Sequence, residues 1–102
     1  MIVDRDLLAA ADLLPLERVA VCNLTRGVAF TARCAAGPPG GGAVVCSGAA
    51  AAHAAVGDRL TIEAFARLDR EDLPHHVARV VTVDDDNGVR TVGRRTPFEV
   101  EE

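Results

Sequence analysis

The chain has 102 residues, 49% of them apolar, and a formal net charge of −4 that is spread along it without a basic stripe. That size supports one core and no second, so a single domain over residues 1–102 is expected, with nucleic acid excluded as a partner by the missing cationic footprint. No lysine is present for a Schiff base, and tryptophan and tyrosine are absent, which removes a phenolic proton donor and most stacking platforms.

The opening stretch from Asp4 to Leu13 sets apolar residues at helical spacing behind acidic residues suited to a helix N-terminus, and predicts a short helix stopped before Pro15. Arg18–Leu24 is rich in β-branched residues, Thr25-Arg26-Gly27 reads as a turn, and Val28–Arg33 as the return strand of a hairpin. The run Gly37-Pro38-Pro39-Gly40-Gly41-Gly42 holds neither helix nor central strand and reads as a surface loop. It lacks the Lys-Ser or Lys-Thr pair of a phosphate-binding loop.

Ala43–Cys46 reads as a buried strand, and Ala49–Ala55 as a second short helical segment whose small side chains allow close approach. After the Val56-Gly57-Asp58 turn, Arg59–Arg67 alternates polar and apolar as a half-buried strand does. Asp69–Leu73 suits one helical turn before Pro74. His76–Val83 and Val89–Val92 flank the Asn87-Gly88 signal of a second hairpin, and the acidic tail after Pro97 reads as frayed. Many short strands with only two short helices predict a mainly β fold, closed or nearly closed as a barrel.

Cys22, Cys34 and Cys46 are odd in number and widely spaced, unlike a zinc site or a disulfide framework, and read as reduced, buried, small apolar residues. The Asp84–Asp86 run lacks the glutamate spacing of a calcium loop, so no metal is expected. No apolar run approaches the roughly 20 residues of a membrane span and no signal peptide is evident, which predicts a cytoplasmic protein.

Two ordered segments carry a family resemblance. One is Asp6–Leu14 followed by Val21-Cys22-Asn23-Leu24-Thr25-Arg26-Gly27 and Phe30. The other is Ser47-Gly48-Ala49-Ala50-Ala51-Ala52-His53 through Val56-Gly57-Asp58. Together they resemble pyruvoyl-dependent aspartate 1-decarboxylase, without a gap from residue 1 to about residue 72. The resemblance implies a double-psi β-barrel, assembled as a homotetramer with active sites between neighbouring subunits, and a place in β-alanine biosynthesis. It also implies a pyruvoyl group made from the serine of a self-cleaved Gly-Ser bond, whose ketone serves as electron sink during decarboxylation.

Carried onto this sequence, Met1 falls one residue after that serine, and the upstream strands that bring a lysine, a histidine and a tyrosine to the family's site lie outside the sequence. The cofactor is therefore not expected from this chain alone, but only from a short partner chain. The family's carboxylate-binding arginine maps to Ala29, its self-cleavage threonine to Ala32, its proton-donating tyrosine to Arg33 and its asparagine to Ser47, while Cys22 falls at a bulky pocket position. The candidate substrate-binding residues are Arg33, Ser47, Gly48, Ala49, Ala50, Ala51 and Cys22. For Arg33 a carboxylate or phosphate clamp stands beside a solvated or interface-bridging arginine. For the alanine segment, an amide-lined anion site stands beside a helix packed on a barrel. The expected function is a decarboxylase-like subunit acting on a small amino or carboxylic acid, homotetrameric or joined to a partner chain. A cofactor-free enzyme with a repurposed pocket and a non-catalytic oligomeric barrel are the alternatives.

Overall fold

A computed structural model describes residues 1–98 and shows a chain dominated by short strands. Strand β1 (Ile2–Asp4) runs straight into helix α1 (Arg5–Ala11), and Asp4 makes the junction. Its carboxylate accepts from the Asp6 amide at 2.7 Å and so caps α1, while Asp12, left-handed at φ 57°, closes the helix. The same carboxylate accepts from the Gly40 and Gly42 amides, which ties the proline-glycine loop to the helix start.

Strands β2 (Arg18–Asn23) and β3 (Val28–Arg33) form the expected hairpin, paired in register from Arg18↔Arg33 to Asn23↔Val28. β4 (Ala35–Gly37) follows at once and lies parallel to β1, which is antiparallel on its other side to β5 (Val44–Val45). β6 (Leu60–Glu63) adds to β2, and β7 (Ala78–Val83) pairs with β8 (Val89–Arg95). The result is three sheets, β4-β1-β5, β3-β2-β6 and β7-β8, whose ladders do not join into a closed ring among the described residues.

The core is small. Val3, Leu8, Val19, Val21 and Cys34 are buried, and Phe30, Leu60 and Ile62 pack against them. Period-two alternation decides which face of β2 goes inward: Val19, Val21 and Asn23 are buried while Arg18 and Cys22 are exposed. The chain is also larger than its mass predicts. Its surface is 7444 Å², against about 5500 Å² for a compact 10.7 kDa protein. The radius of gyration is 14.2 Å, against about 13 Å for a domain of this length. The excess surface carries Val56, Phe65, Val80 and Val92, all exposed.

Several expectations are corrected. Ala49–Ala55 is not a second α-helix but a five-residue 3-10 turn over Gly48–Ala52. Gly48 enters it at φ 59°, Ser47 gives no side-chain cap bond, and the Gly57 turn follows too soon for alanine propensity to offset the cost of helix nucleation. Val45 is exposed, so the stretch read as a buried strand is two residues of an edge strand. β6 stops at Glu63 instead of reaching Arg67. The turn placed before Pro74 spans it, as Leu73–His75, because proline fits the first turn of a helix. Of the three cysteines only Cys34 is buried, while Cys22 is exposed. Strands β1 and β4 went unread because three residues are too few to show a period. The tail's acidic end, Glu99–Glu102, lies outside the described residues.

Candidate functional site

The outward face of the β3-β2-β6 sheet presents Ala29, Thr31 and Arg33 from β3, Arg18, Ala20 and Cys22 from β2, and Thr61 and Glu63 from β6. Cys22 and Ala29 are direct cross-strand partners, as are Arg18 and Arg33. Cys22 lies four residues along β2 from Arg18, roughly 13 Å at 3.3 Å per residue. The two candidate residues on this face, Cys22 and Arg33, therefore sit at its opposite ends.

The start of β1 gathers the others. The Met1 nitrogen donates to the Arg33 carbonyl at 3.1 Å, and the Ala35 amide donates to the Met1 carbonyl at 2.8 Å. On the other side Ile2 pairs with Val45, and one step further along each strand are Met1 and Cys46, with Ser47 next. Arg33 thus meets Met1 through its carbonyl, and Ser47 follows the residue that stands opposite Met1. From Ser47 the Gly48–Ala52 turn crosses to the inner face of the β2-β3 hairpin, where Ala50 is buried and the His53 ring stacks on Phe30 at 5.2 Å. Ala49 and Ala51 are exposed on the turn.

A polar hub holds that turn. Asn23 is 1% exposed, yet all of its hydrogen-bonding capacity is used. Its amide nitrogen donates to the His53 carbonyl and to Asp58 Oδ2, each at 2.9 Å, and its oxygen accepts from the Thr25 and Arg26 amides at 3.1 Å. Asp58 Oδ2 also accepts from the Ala55 amide and pairs with Arg26 Nε, both at 2.9 Å. Thr25 Oγ1 accepts from the Arg59 amide at 2.8 Å. The hairpin turn, the alanine turn and the entry to β6 thereby share one set of bonds. The hub was missed as a unit, although its signal was present in the Asn-x-Thr-x-Gly and Val-Gly-Asp runs.

Both structural carboxylates are held below the ordinary 3.8. Asp58 is lowered mainly by the Asn23 amide and then by the Ala55 amide; Asp4 is lowered mainly by the Gly42 amide and then by that of Asp6. Burial raises the Cys34 thiol, which keeps it protonated and inert at neutral pH. A carboxylate whose pKa is depressed by folding stabilises fully above its unfolded value and loses that contribution as pH falls through the folded value. The midpoint of urea unfolding should therefore hold steady from pH 7 to about 5 and drop below about pH 4. The Asp4→Asn, Asp58→Asn double variant should flatten that drop and start from a lower plateau.

Among the described residues no group of histidine, cysteine and acidic side chains suits a metal, and no helix is long and apolar enough to cross a membrane. The sequence model of the aspartate decarboxylase family matches residues 1–90. This chain belongs to the aspartate decarboxylase family. A protein of Ruminiclostridium cellulolyticum named aspartate 1-decarboxylase is 37% identical over 97 residues, covering 95% of this chain and 73% of that protein. Its namesake in Syntrophobacter fumaroxidans is 38% identical over 85 residues, 83% and 68% of the two chains. That of Laribacter hongkongensis is 39% identical over 87 residues, 85% and 68%.

Within the 102 residues the precursor of a pyruvoyl group is not found. The one serine, Ser47, follows Cys46, and no Gly-Ser pair occurs in the 102 residues. Ser47 also lies mid-chain at the mouth of the alanine turn, where it is exposed rather than a chain end.

Proposed function

We propose that the chain is the barrel-forming subunit of a decarboxylase-type lyase that binds a small amino or carboxylic acid where copies meet. The double-psi barrel implied by its family would then be completed in the assembly. The observation that carries this reading is the division of the pocket positions. Cys22 and Ala29 pair on an exposed face, whereas the Arg33 carbonyl meets Met1 at that face's far end, Ser47 follows the residue opposite Met1, and the alanine turn lies on the other side of the sheet. A compact pocket drawing on both groups needs a second copy to bring them together.

The surface excess, on the order of 2000 Å², supports assembly, since stable interfaces bury about 1,200–2,000 Å². Arg33 offers a planar fork for a carboxylate, with Ser47 as a neutral hydrogen-bonding partner. Pyruvoyl chemistry, if the assembly runs it, comes from residues joined to the Met1 nitrogen or from a short second chain laid beside β1. A second reading is favoured by one specific feature. Alanine at positions 29 and 32 removes the groups that the family resemblance assigns to carboxylate binding and self-cleavage, which suits a repurposed, cofactor-free pocket.

Native mass spectrometry should return a multiple of 10.7 kDa, with four copies expected. Carboxyl-labelled aspartate and other small amino acids should release labelled carbon dioxide only when a pyruvoyl-bearing segment is present. A stable monomer at micromolar concentration would overturn the shared site. Binding of an acid without carbon dioxide release in any preparation would favour the second reading.

A further inference from the structure

The β2-β3 ladder ends on two arginines that face each other. Arg18 and Arg33 are direct cross-strand partners and both are exposed. Residues opposed in this way hold their Cβ atoms about 5 Å apart on one face, where like charges destabilise the pair. Among the described residues no carboxylate bridges either of them. The ion pair formed among the described residues is Arg26–Asp58. Glu63, across from Ala20 on the same face, makes no bridge to Arg18, and the Glu17 carboxylate accepts from the Leu14 amide. Two guanidinium groups are thus left side by side in a chain where acids outnumber arginines 15 to 11.

Their surroundings form a shallow concavity lined by Arg18, Thr31, Ala32 and Arg33. Thr31 stands two residues before Arg33 on the same face, opposite the small Ala20, and is exposed. We propose that Arg18, Arg33 and Thr31 together hold one doubly charged oxyanion, the phosphate group of inorganic phosphate or of a small phosphomonoester. This deepens the reading of Arg33 as an acid-binding residue and rests on it, adding Arg18 as the second fork. Two converging guanidinium groups neutralise two charges at one centre and supply parallel donors to several oxygens, and the hydroxyl adds one more. A monocarboxylate engages one fork and leaves the other charge unopposed.

The chain contains its own control. Arg79 and Arg94 are also opposed, in β7-β8, but the next residues on that face are the paired Val81 and Val92, with no hydroxyl. Inorganic phosphate, glycerol phosphate, acetate and succinate should be titrated into the intact protein at constant ionic strength, following the arginine Nε–Hε signals. Phosphate and glycerol phosphate should move the Arg18 and Arg33 signals saturably, with at least about tenfold tighter binding than acetate. Arg18→Gln should abolish that advantage, and Arg79→Gln should leave it intact. Should Arg18→Gln fail to fold, Arg18→Lys keeps the charge without the fork and should lose most of the preference. Equal affinity for acetate and phosphate, or an equal loss in Arg79→Gln, overturns the two-arginine site. Succinate binding tighter than phosphate also overturns it but leaves Arg33 as a carboxylate clamp. No shift with any anion removes both.

Discussion

Replacing Asn23 by alanine should destabilise the fold by about 3 kcal/mol, from the loss of four bonds and the exposure of their partners to an unfilled buried space. That is a large share of the 5–15 kcal/mol available to a small domain. The effect should also be local. Hydrogen exchange should rise first at Ala55, Arg26 and Arg59, because Asn23 sets the position of Asp58 and the turn around Thr25. Asn23→Asp tests the reasoning from the other side. It keeps the oxygen that accepts from Thr25 and Arg26 but sets a second carboxylate against Asp58. It should be less stable at pH 7 than at pH 5, a range over which the parent holds steady. A loss below about 1 kcal/mol for Asn23→Ala in urea unfolding would show that the hub is not what holds the alanine turn.

Gly42→Ala should be the most damaging of the glycine substitutions, by about 3 kcal/mol or more, because two penalties coincide. Gly42 adopts φ 70°, which costs a non-glycine residue about 1–2 kcal/mol. A Cβ there would collide with the Asp86 carbonyl oxygen and stand 3.2 Å from Asn87 Cβ, so the loop and the β7-β8 hairpin must part. Separation breaks the bond from Asn87 Nδ2 to the Gly42 carbonyl and disturbs the bond from the Gly42 amide to Asp4 that helps to anchor the start of α1. Gly40 is the comparison: it also has positive φ, at 86°, but open space where its Cβ would go. Gly40→Ala should lose only the conformational penalty, about 1 kcal/mol. Hydrogen exchange should separate the two variants, with β7 and β8 losing protection in Gly42→Ala while β2 and β3 keep theirs. Equal stability of the two variants would mean that the hairpin does not dock on this loop.

Much of the local architecture was legible from residue order. Alternation in Arg18–Asn23, the Thr25-Arg26-Gly27 turn and the Asn87-Gly88 signal each act through neighbours in the chain, and both hairpins formed where they indicated. The acidic residues at the head of the first helix suit its N-terminus, and Asp4 caps it. Family membership was legible too, since it resides in the ordered motifs themselves. The alanine segment was misread because propensity speaks for an infinite helix, whereas Gly48, the Asn23–His53 bond and the Val56-Gly57-Asp58 turn leave room for only five residues.

The candidate site was legible as a set of positions and not as an arrangement. Residue order alone determined the mainly β character and the hairpins, because these depend on side-chain alternation and turn chemistry. Tertiary structure decided that β4 and β5 flank β1, which brings the Arg33 carbonyl to the Met1 nitrogen and sets Cys46, with Ser47 next, opposite Met1. Those relations are set by strand register between segments more than 30 residues apart. Register follows from which faces can be buried together, and no local pattern in the chain encodes that.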